Sequence, residues 1–339
     1  MKQLSRIIII AIVIVFTASI LSSCKPADED IDRGAFEYRN YGIRYDDVGF
    51  ERTPIDMEIA QGEDDIEAIL HILDVIEANL IAADYLASAS VGGGSASSSM
   101  FDMRGSLDFA DIYCRDNGAF YSQSIARVTE ASSSVSDSIL GAAQAMLDQA
   151  DRKYSADGET FYVQKVKGNK ANAKMIRDYP FGTSTFNKGD LEKLSLSKYK
   201  EKEYIRSDYR ELTNFVINRD TIKADTAEIS YEEGMFTLYF EIDLENKEAR
   251  DTATEYARAN MREASSSNDL EYAIYNVTIE VYDNGLIRKY TKEESWEATL
   301  KILFWSPHGA SLSETSVYYS WDPADCSFSA NGIDVSWAK

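Results

Sequence analysis

The chain has 339 residues, 44% of them apolar and 12% aromatic, which is enough for a packed core in one or two domains. Its 57 acidic side chains outnumber 35 basic ones, for a formal charge of −22, the reverse of the basic surface that neutralises nucleic-acid phosphates. The same balance disfavours a body lying flat on anionic lipid.

The N-terminus opens with the short basic stretch Met1-Lys2-Gln3-Leu4-Ser5-Arg6 and continues as an unbroken apolar run, Ile7 to Phe16. This is the order of a secretory signal, and the run is shorter than the ~20 apolar residues that cross a bilayer. Leu21-Ser22-Ser23-Cys24 follows: an aliphatic residue, two small residues and a cysteine, matching the pattern cut by lipoprotein signal peptidase. The expectation is that residues 1–23 are removed and that Cys24 takes a diacylglycerol. The chain is then lipid-anchored to a bacterial membrane on its extracytoplasmic side. Each buried CH₂ contributes ~0.8 kcal/mol, so two or more acyl chains, palmitate for example, hold such an anchor stably. The plain alternative is an uncleaved signal anchor with an incidental cysteine. Lys2 and Arg6 leave with the signal, so the 316-residue remainder carries 33 basic against 57 acidic residues, or −24.

Residues 24–63 read as the lipidated cysteine and a tether, acidic and weakly periodic. Phe36, Tyr38, Tyr41, Tyr45 and Phe50 suggest that the later part docks on the body. Residues 64–339 read as a single α+β domain. Asp64-Asp65 offer a helix cap, and Ile66, Ile69, Leu70, Leu73, Ile76 and Leu80 fall on one face, with an end expected near Tyr85. The Ser/Gly-rich stretch 88–99 reads as a flexible loop, with a small-residue strand as the alternative.

Beyond it the pattern turns to strands. Phe101, Met103, Leu107 and Phe109 alternate with polar residues. Five dipeptides then mark hairpin turns, because their residues tolerate positive φ: Asn117-Gly118, Asp157-Gly158, Glu233-Gly234, Asn284-Gly285 and Asn331-Gly332. The last is expected to join Cys326–Ser329 to Ile333–Trp337. Helices are expected over Ser136–Ala150, Asp208–Asn218 and Asn246–Ala264, the last with a stripe of small residues. Cys114 and Cys326 remain beyond the anchor. They could pair in an oxidising compartment or stay as two buried thiols. The fold class expected is α+β: a curled, mostly antiparallel sheet, an incomplete barrel, with helices packed on one face.

The lipobox Leu21–Cys24, the run of hairpins and the order of residues 219–290 resemble the LolA/LppX-like group of envelope lipoproteins and lipoprotein carriers. In residues 219–290 a strand pair (ISYEEGMFTLYFEID) leads to a helix and then to YNVTIEVYDNGLIRKY. The segment Asn214–Ile222 (NFVINRDTI) is also similar to a stretch found in lipoproteins of Gram-positive bacteria. The likeness covers about two-thirds of the chain. It implies a sheet curled around helices and an apolar cavity that binds or carries an acyl chain, an implication by analogy because fold does not dictate function. It carries over no ligand-binding residue.

Chemistry-bearing motifs are few. His71 sits among Leu70, Ile72 and Leu73 with Asp74 three residues on, and a lone helical histidine is ordinarily structural. His308 lies in the turn-like Trp305-Ser306-Pro307-His308-Gly309. Ser195-Leu196-Ser197-Lys198 matches Ser-x-x-Lys, but the Ser-Asp-Asn and Lys-Thr-Gly partner motifs are absent. No phosphate loop, zinc-binding cysteine pair or His-Glu-x-x-His is written in the sequence, so no catalytic residue, metal or cofactor is expected. Trp305, Tyr318, Tyr319 and Trp321 cluster late in the chain and are candidate ligand-binding residues, although such clusters are more often strand core. The leading expectation is non-enzymatic binding of an apolar or amphiphilic ligand, with the membrane as partner through Cys24 and no nucleic acid. A module contacting an envelope protein or polymer comes second, and a glycan hydrolase using a carboxylate pair third.

Overall fold

A computed structural model of the chain describes residues 44–46, 48–98, 103–132, 149–167, 190–202, 217–251, 271–299, 308–329 and 333–338. Residues 1–43, with Cys24 and the signal-like segment, lie outside these. So do Phe36, Tyr38 and Tyr41.

The described elements run α1 (Met57–Ala60), α2 (Asp65–Ala82), β1 (Tyr85–Ser98), β2 (Met103–Asp116), β3 (Ala119–Ser132), β4 (Gln149–Ser155), β5 (Thr160–Lys167), β6 (Asp190–Ser195) and α3 (Leu196–Lys202). Then come β7 (Glu228–Glu232), β8 (Met235–Glu241), β9 (Glu271–Tyr282), β10 (Ile287–Thr299), β11 (His308–Ser320) and α4 (Pro323–Cys326). A single 3₁₀ turn, Ser336–Ala338, follows. The eleven strands form one antiparallel sheet in the order β6-β5-β4-β3-β2-β1-β11-β10-β9-β8-β7. It is open, with β6 and β7 at its edges. One meander runs outward from β1 to β6. A second runs inward from β7 to β11, and the sheet is completed where β11 zips onto β1 along Ala87↔Ser320 to Ser98↔Gly309.

Four of the expected turns join strands as written. Asn117 at φ 49 and Gly118 at φ 86 close β2–β3, and Glu233 at φ 50 and Gly234 at φ 81 close β7–β8, both with the left-handed pair that matches strand twist. Asp157 organises the β4–β5 turn by accepting from the amides of Glu159 and Thr160 at 2.9 and 2.8 Å. Gly285, at φ 83, sits in the β9–β10 turn.

Other expectations need correction. Residues 88–98 are not a loop but part of β1, hydrogen-bonded on both sides. Ala87, Ser88, Ala89 and Ser90 are buried, and a strand covered on both faces shows no polar–apolar alternation to read. The flanks of Asn331-Gly332 are not strands. Asp322 caps α4 by accepting from Ala324 N at 2.8 Å, Pro323 occupies the first turn, and this local chemistry is that of a helix start. Gln149 and Ala150 open β4 and do not end a helix; residues 136–148 lie outside the described residues, as do 208–216 and 252–264. Asn218 forms a side-chain turn, its Oδ1 accepting from the amides of Asp220 and Thr221. Asn246 does cap a helical turn over 247–251, accepting from Glu248 N at 2.9 Å.

The helix at 65–82 is capped by Asp64, which accepts from Glu67 N at 3.0 Å, and ends at Ala82, short of Tyr85. Its buried stripe adds Ile72 and Val75 to the expected Ile66, Ile69, Leu73, Ile76 and Leu80. Each large side chain so buried contributes roughly 1.5–3 kcal/mol. These residues share one core with Phe236, Leu238 and Phe240 of β8, Tyr275, Val277 and Ile279 of β9, and Tyr290 of β10. Tyr199 of α3 and Ala249 of the 247–251 turn join the same core. The segment before α1 docks too: the Phe50 ring lies 6.1 Å from that of Trp321, and Tyr45 Oη donates to Asp322 at 3.3 Å.

Candidate functional site

Strand residues alternate between faces, and the register fixes which share one. On the face toward α2, β1 presents Ser88, Ser90, Gly92 and Gly94. Ser88 is opposite Tyr319, Ser90 opposite Val317, Gly92 opposite Thr315 and Gly94 opposite Ser313. On the next strand Tyr290, Lys292 and Glu294 continue these rows, and Ile279, Val277 and Tyr275 continue them again on β9. The face is aromatic and aliphatic on β8 and β9 and becomes mixed on β10, β11 and β1, where Tyr290, Val317 and Tyr319 share it with glycines, hydroxyls and one ion pair.

The ion pair is Lys292–Glu294, with Nζ and Oε2 3.5 Å apart and side chains only 12% and 6% exposed. Removing two charges from water costs several kcal/mol per ion before their attraction is counted. Such a pair on the inner face of a sheet is an expensive use of two positions that valine would fill cheaply. Ser313 Oγ donates to the Glu294 carbonyl at 3.2 Å, and Tyr275 Oη and Tyr290 Oη lie 3.5 Å apart. Burial, with Tyr275 second, holds the Tyr290 hydroxyl well above the usual phenol range, so it stays a neutral donor. These residues escaped the sequence reading. The one signal was the alternation Tyr290-x-Lys292-x-Glu294-x-Trp296, which reads equally well with the charges facing water.

The opposite face carries the C-terminal tail. Cys326 packs with Ala87 and Cys114. The Phe328 ring lies tilted against Tyr121 and edge-on to Tyr154, centroids 6.4 and 6.0 Å away. The Arg152 guanidinium lies 4.2 Å over the Trp337 ring and donates through Nε and Nη2 to Gln164 Oε1 at 2.9 and 2.7 Å. Tyr121 donates to Gln123 at 2.6 Å. This is a polar seam whose hydrogen bonds run within β3–β5, and the tail lies over it through the Phe328 ring contacts and the Trp337–Arg152 stack.

Of the three aromatic candidates described, Tyr319 and Trp321 share the core and Tyr318 lies on the other face. Trp305 lies outside the described residues. Trp321 is core, its indole donating to the Ile287 carbonyl at 3.0 Å. Tyr319 is buried on the α2 face, while its neighbour Tyr318 is on the tail face with Lys289 Nζ 5.2 Å over its ring. His71 is a structural acceptor: its Nε2 takes the Asp56 amide at 2.8 Å and ties α2 to α1. His308 begins β11, paired with Thr299. Among the described residues no group of three or more His, Cys, Asp or Glu could hold a metal. No described helix is long and apolar enough to cross a membrane.

No protein-family model matches this chain, and no curated protein sequence matches it. The functional reading rests on the residues themselves.

Proposed function

We propose that the chain is a lipoprotein, cleaved before Cys24 and held by lipid to a bacterial membrane, whose extracytoplasmic body binds an amphiphilic ligand without catalysing a reaction. In this reading the open sheet curls as an incomplete barrel, and α2, α3 and the helix starting at 247 pack on its inner face. Their shared apolar core supports that arrangement.

The observation that carries the reading is the graded inner face. Ser88, Ser90, Gly92 and Gly94 project almost no volume, and Lys292–Glu294 with Ser313 and Thr315 supply polar groups in low dielectric beside them. An acyl or similar apolar portion suits the aromatic end, and a polar head suits the ion pair. Pockets for such ligands are mostly apolar with a few convergent polar groups. The test is filling the strip. Ser90→Phe places a ring over Gly92 and the row of Val317 and Tyr290. The body, residues 25–339, should take up a pyrene-labelled fatty acid with saturable fluorescence, and Ser90→Phe should weaken that uptake at least tenfold while the far-UV signal is kept. Equal uptake by both proteins would contradict the reading.

A further inference from the structure

Cys114 on β2 and Cys326 at the end of α4 are 212 residues apart in sequence, and both are free thiols with no exposed surface. They are neighbours in space. Cys114 Sγ is in contact with the carbonyl oxygen of Cys326, and Cys326 Sγ lies 4.0 Å from the Ser320 carbonyl. Ala87 is the register partner of Cys114 on one side and of Ser320 on the other. Both cysteines pack with Ala87 in one small buried cluster, and no large side chain of that cluster's core stands between them. A thiol touching the other residue's main chain is within reach of a disulfide, which spans about 4–7 Å between Cα atoms.

We propose that Cys114 and Cys326 close an intramolecular disulfide as the chain folds, stapling the C-terminal tail to the middle of the sheet. The oxidant is a low-molecular-weight disulfide or a protein disulfide carrier. The thiolate of one cysteine attacks the carrier's S–S bond and releases one carrier thiolate. The second cysteine thiolate then displaces the other, so that one S–S bond is exchanged for another and both thiol protons end on the reduced carrier. Oxidants of this class belong to extracytoplasmic compartments, the address proposed above, but the chemistry does not depend on the ligand reading. Burial keeps both sulfurs protonated in the finished fold and thiolates are the reacting species, so closure precedes seating of the tail.

The test uses the full chain in detergent micelles, reduced, unfolded in denaturant and refolded in a mixture of oxidised and reduced glutathione. Protease-resistant chain is collected, unfolded without reductant, alkylated and mapped by mass spectrometry. The expected result is a loss of two hydrogens at these positions and one cross-linked peptide joining Cys114 to Cys326, whatever the state of Cys24. Alkyl groups or glutathione on both residues, or a bond from either to Cys24, would overturn the proposal. No substitution is needed, so a variant that misfolds cannot obscure the answer. In the oxidised chain, amide exchange over 323–338 should also slow relative to the reduced chain, and equal rates would refute the staple.

Discussion

Gly285 sits at φ +83, and a Cβ there would lie 2.6 Å from Asn79 Nδ2 and 2.8 Å from both the Thr53 carbonyl and Val75 Cγ1. The side chain it would strike is itself a clamp. Asn79, in the buried face of α2, donates to the carbonyls of Gly285 at 2.9 Å and Thr53 at 3.0 Å, and accepts from the Thr53 amide at 2.7 Å. Gly285→Ala should therefore cost about 2–4 kcal/mol, from the left-handed backbone together with the clash, read as a lower midpoint in urea. Asn79→Leu leaves the buried Gly285 carbonyl and the half-buried amide and carbonyl of Thr53 without this partner, and should cost roughly 1–3 kcal/mol. Equal midpoints for either variant and the parent would refute this account of the turn. Asn284-Gly285 was legible as a turn, but its partner Asn79 was not: an asparagine on a helical stripe reads as an interruption until the loop that it holds is seen.

The two thiols give a residue-scale test in alkali. Burial pushes both Cys114 and Cys326 upward. In the unfolded chain they ionise near pH ~8.5, so the folded state binds more protons above that value. Their contribution to stability is complete below about pH 8 and falls as pH rises. Tyr290 and Tyr319, also pushed up by burial, add the same loss above about pH 10. Urea midpoints of the reduced chain should drop between about pH 7.5 and about pH 9.5, and those of a disulfide-closed chain should drop less. Parallel curves would contradict this.

At the scale of elements, β1 and β10 carry the most information and were the least legible. Strand β1 is written largely in Ser, Ala and Gly, a composition that reads as linker, because it lies at the centre of the sheet with both faces of residues 87–90 covered. The hairpin pairs were legible because a tight turn needs particular residues at particular positions, whereas a central strand needs only room. In β10 the inward charges Lys292 and Glu294 break the expectation that the core side is apolar. Removing one partner of a buried pair costs about 3–5 kcal/mol, whereas replacing both with apolar residues is neutral or stabilising. Lys292→Met or Glu294→Leu alone should lower the thermal midpoint, and the double variant should recover it. If the pair serves a ligand's polar head, the double variant recovers stability but not fatty-acid uptake. Recovery of both would assign the pair to structure alone.

For the whole molecule, strand pairing between the two meanders runs, among the described residues, through β11 and β1 alone, between residues more than 200 apart in sequence. Ordering distant segments costs loop-closure entropy before any contact forms. Folding should therefore be slow, with the β1–β11 seam late. Asp322→Ala removes the cap that orients α4 just after β11, and should speed unfolding more than it slows folding. An antiparallel, sheet-dominated fold was legible from the hairpin turns. Which strands neighbour each other across the chain was not, because pairing over that distance leaves no local mark.

The central claim is that the body holds an amphiphilic ligand on its graded inner face. Native mass spectrometry of residues 25–339, purified from cells and compared with the denatured mass, tests it most directly. A lipid-sized adduct that is lost on denaturation is the predicted result. A mass free of adduct, still unchanged after incubation with a lipid extract, would contradict it.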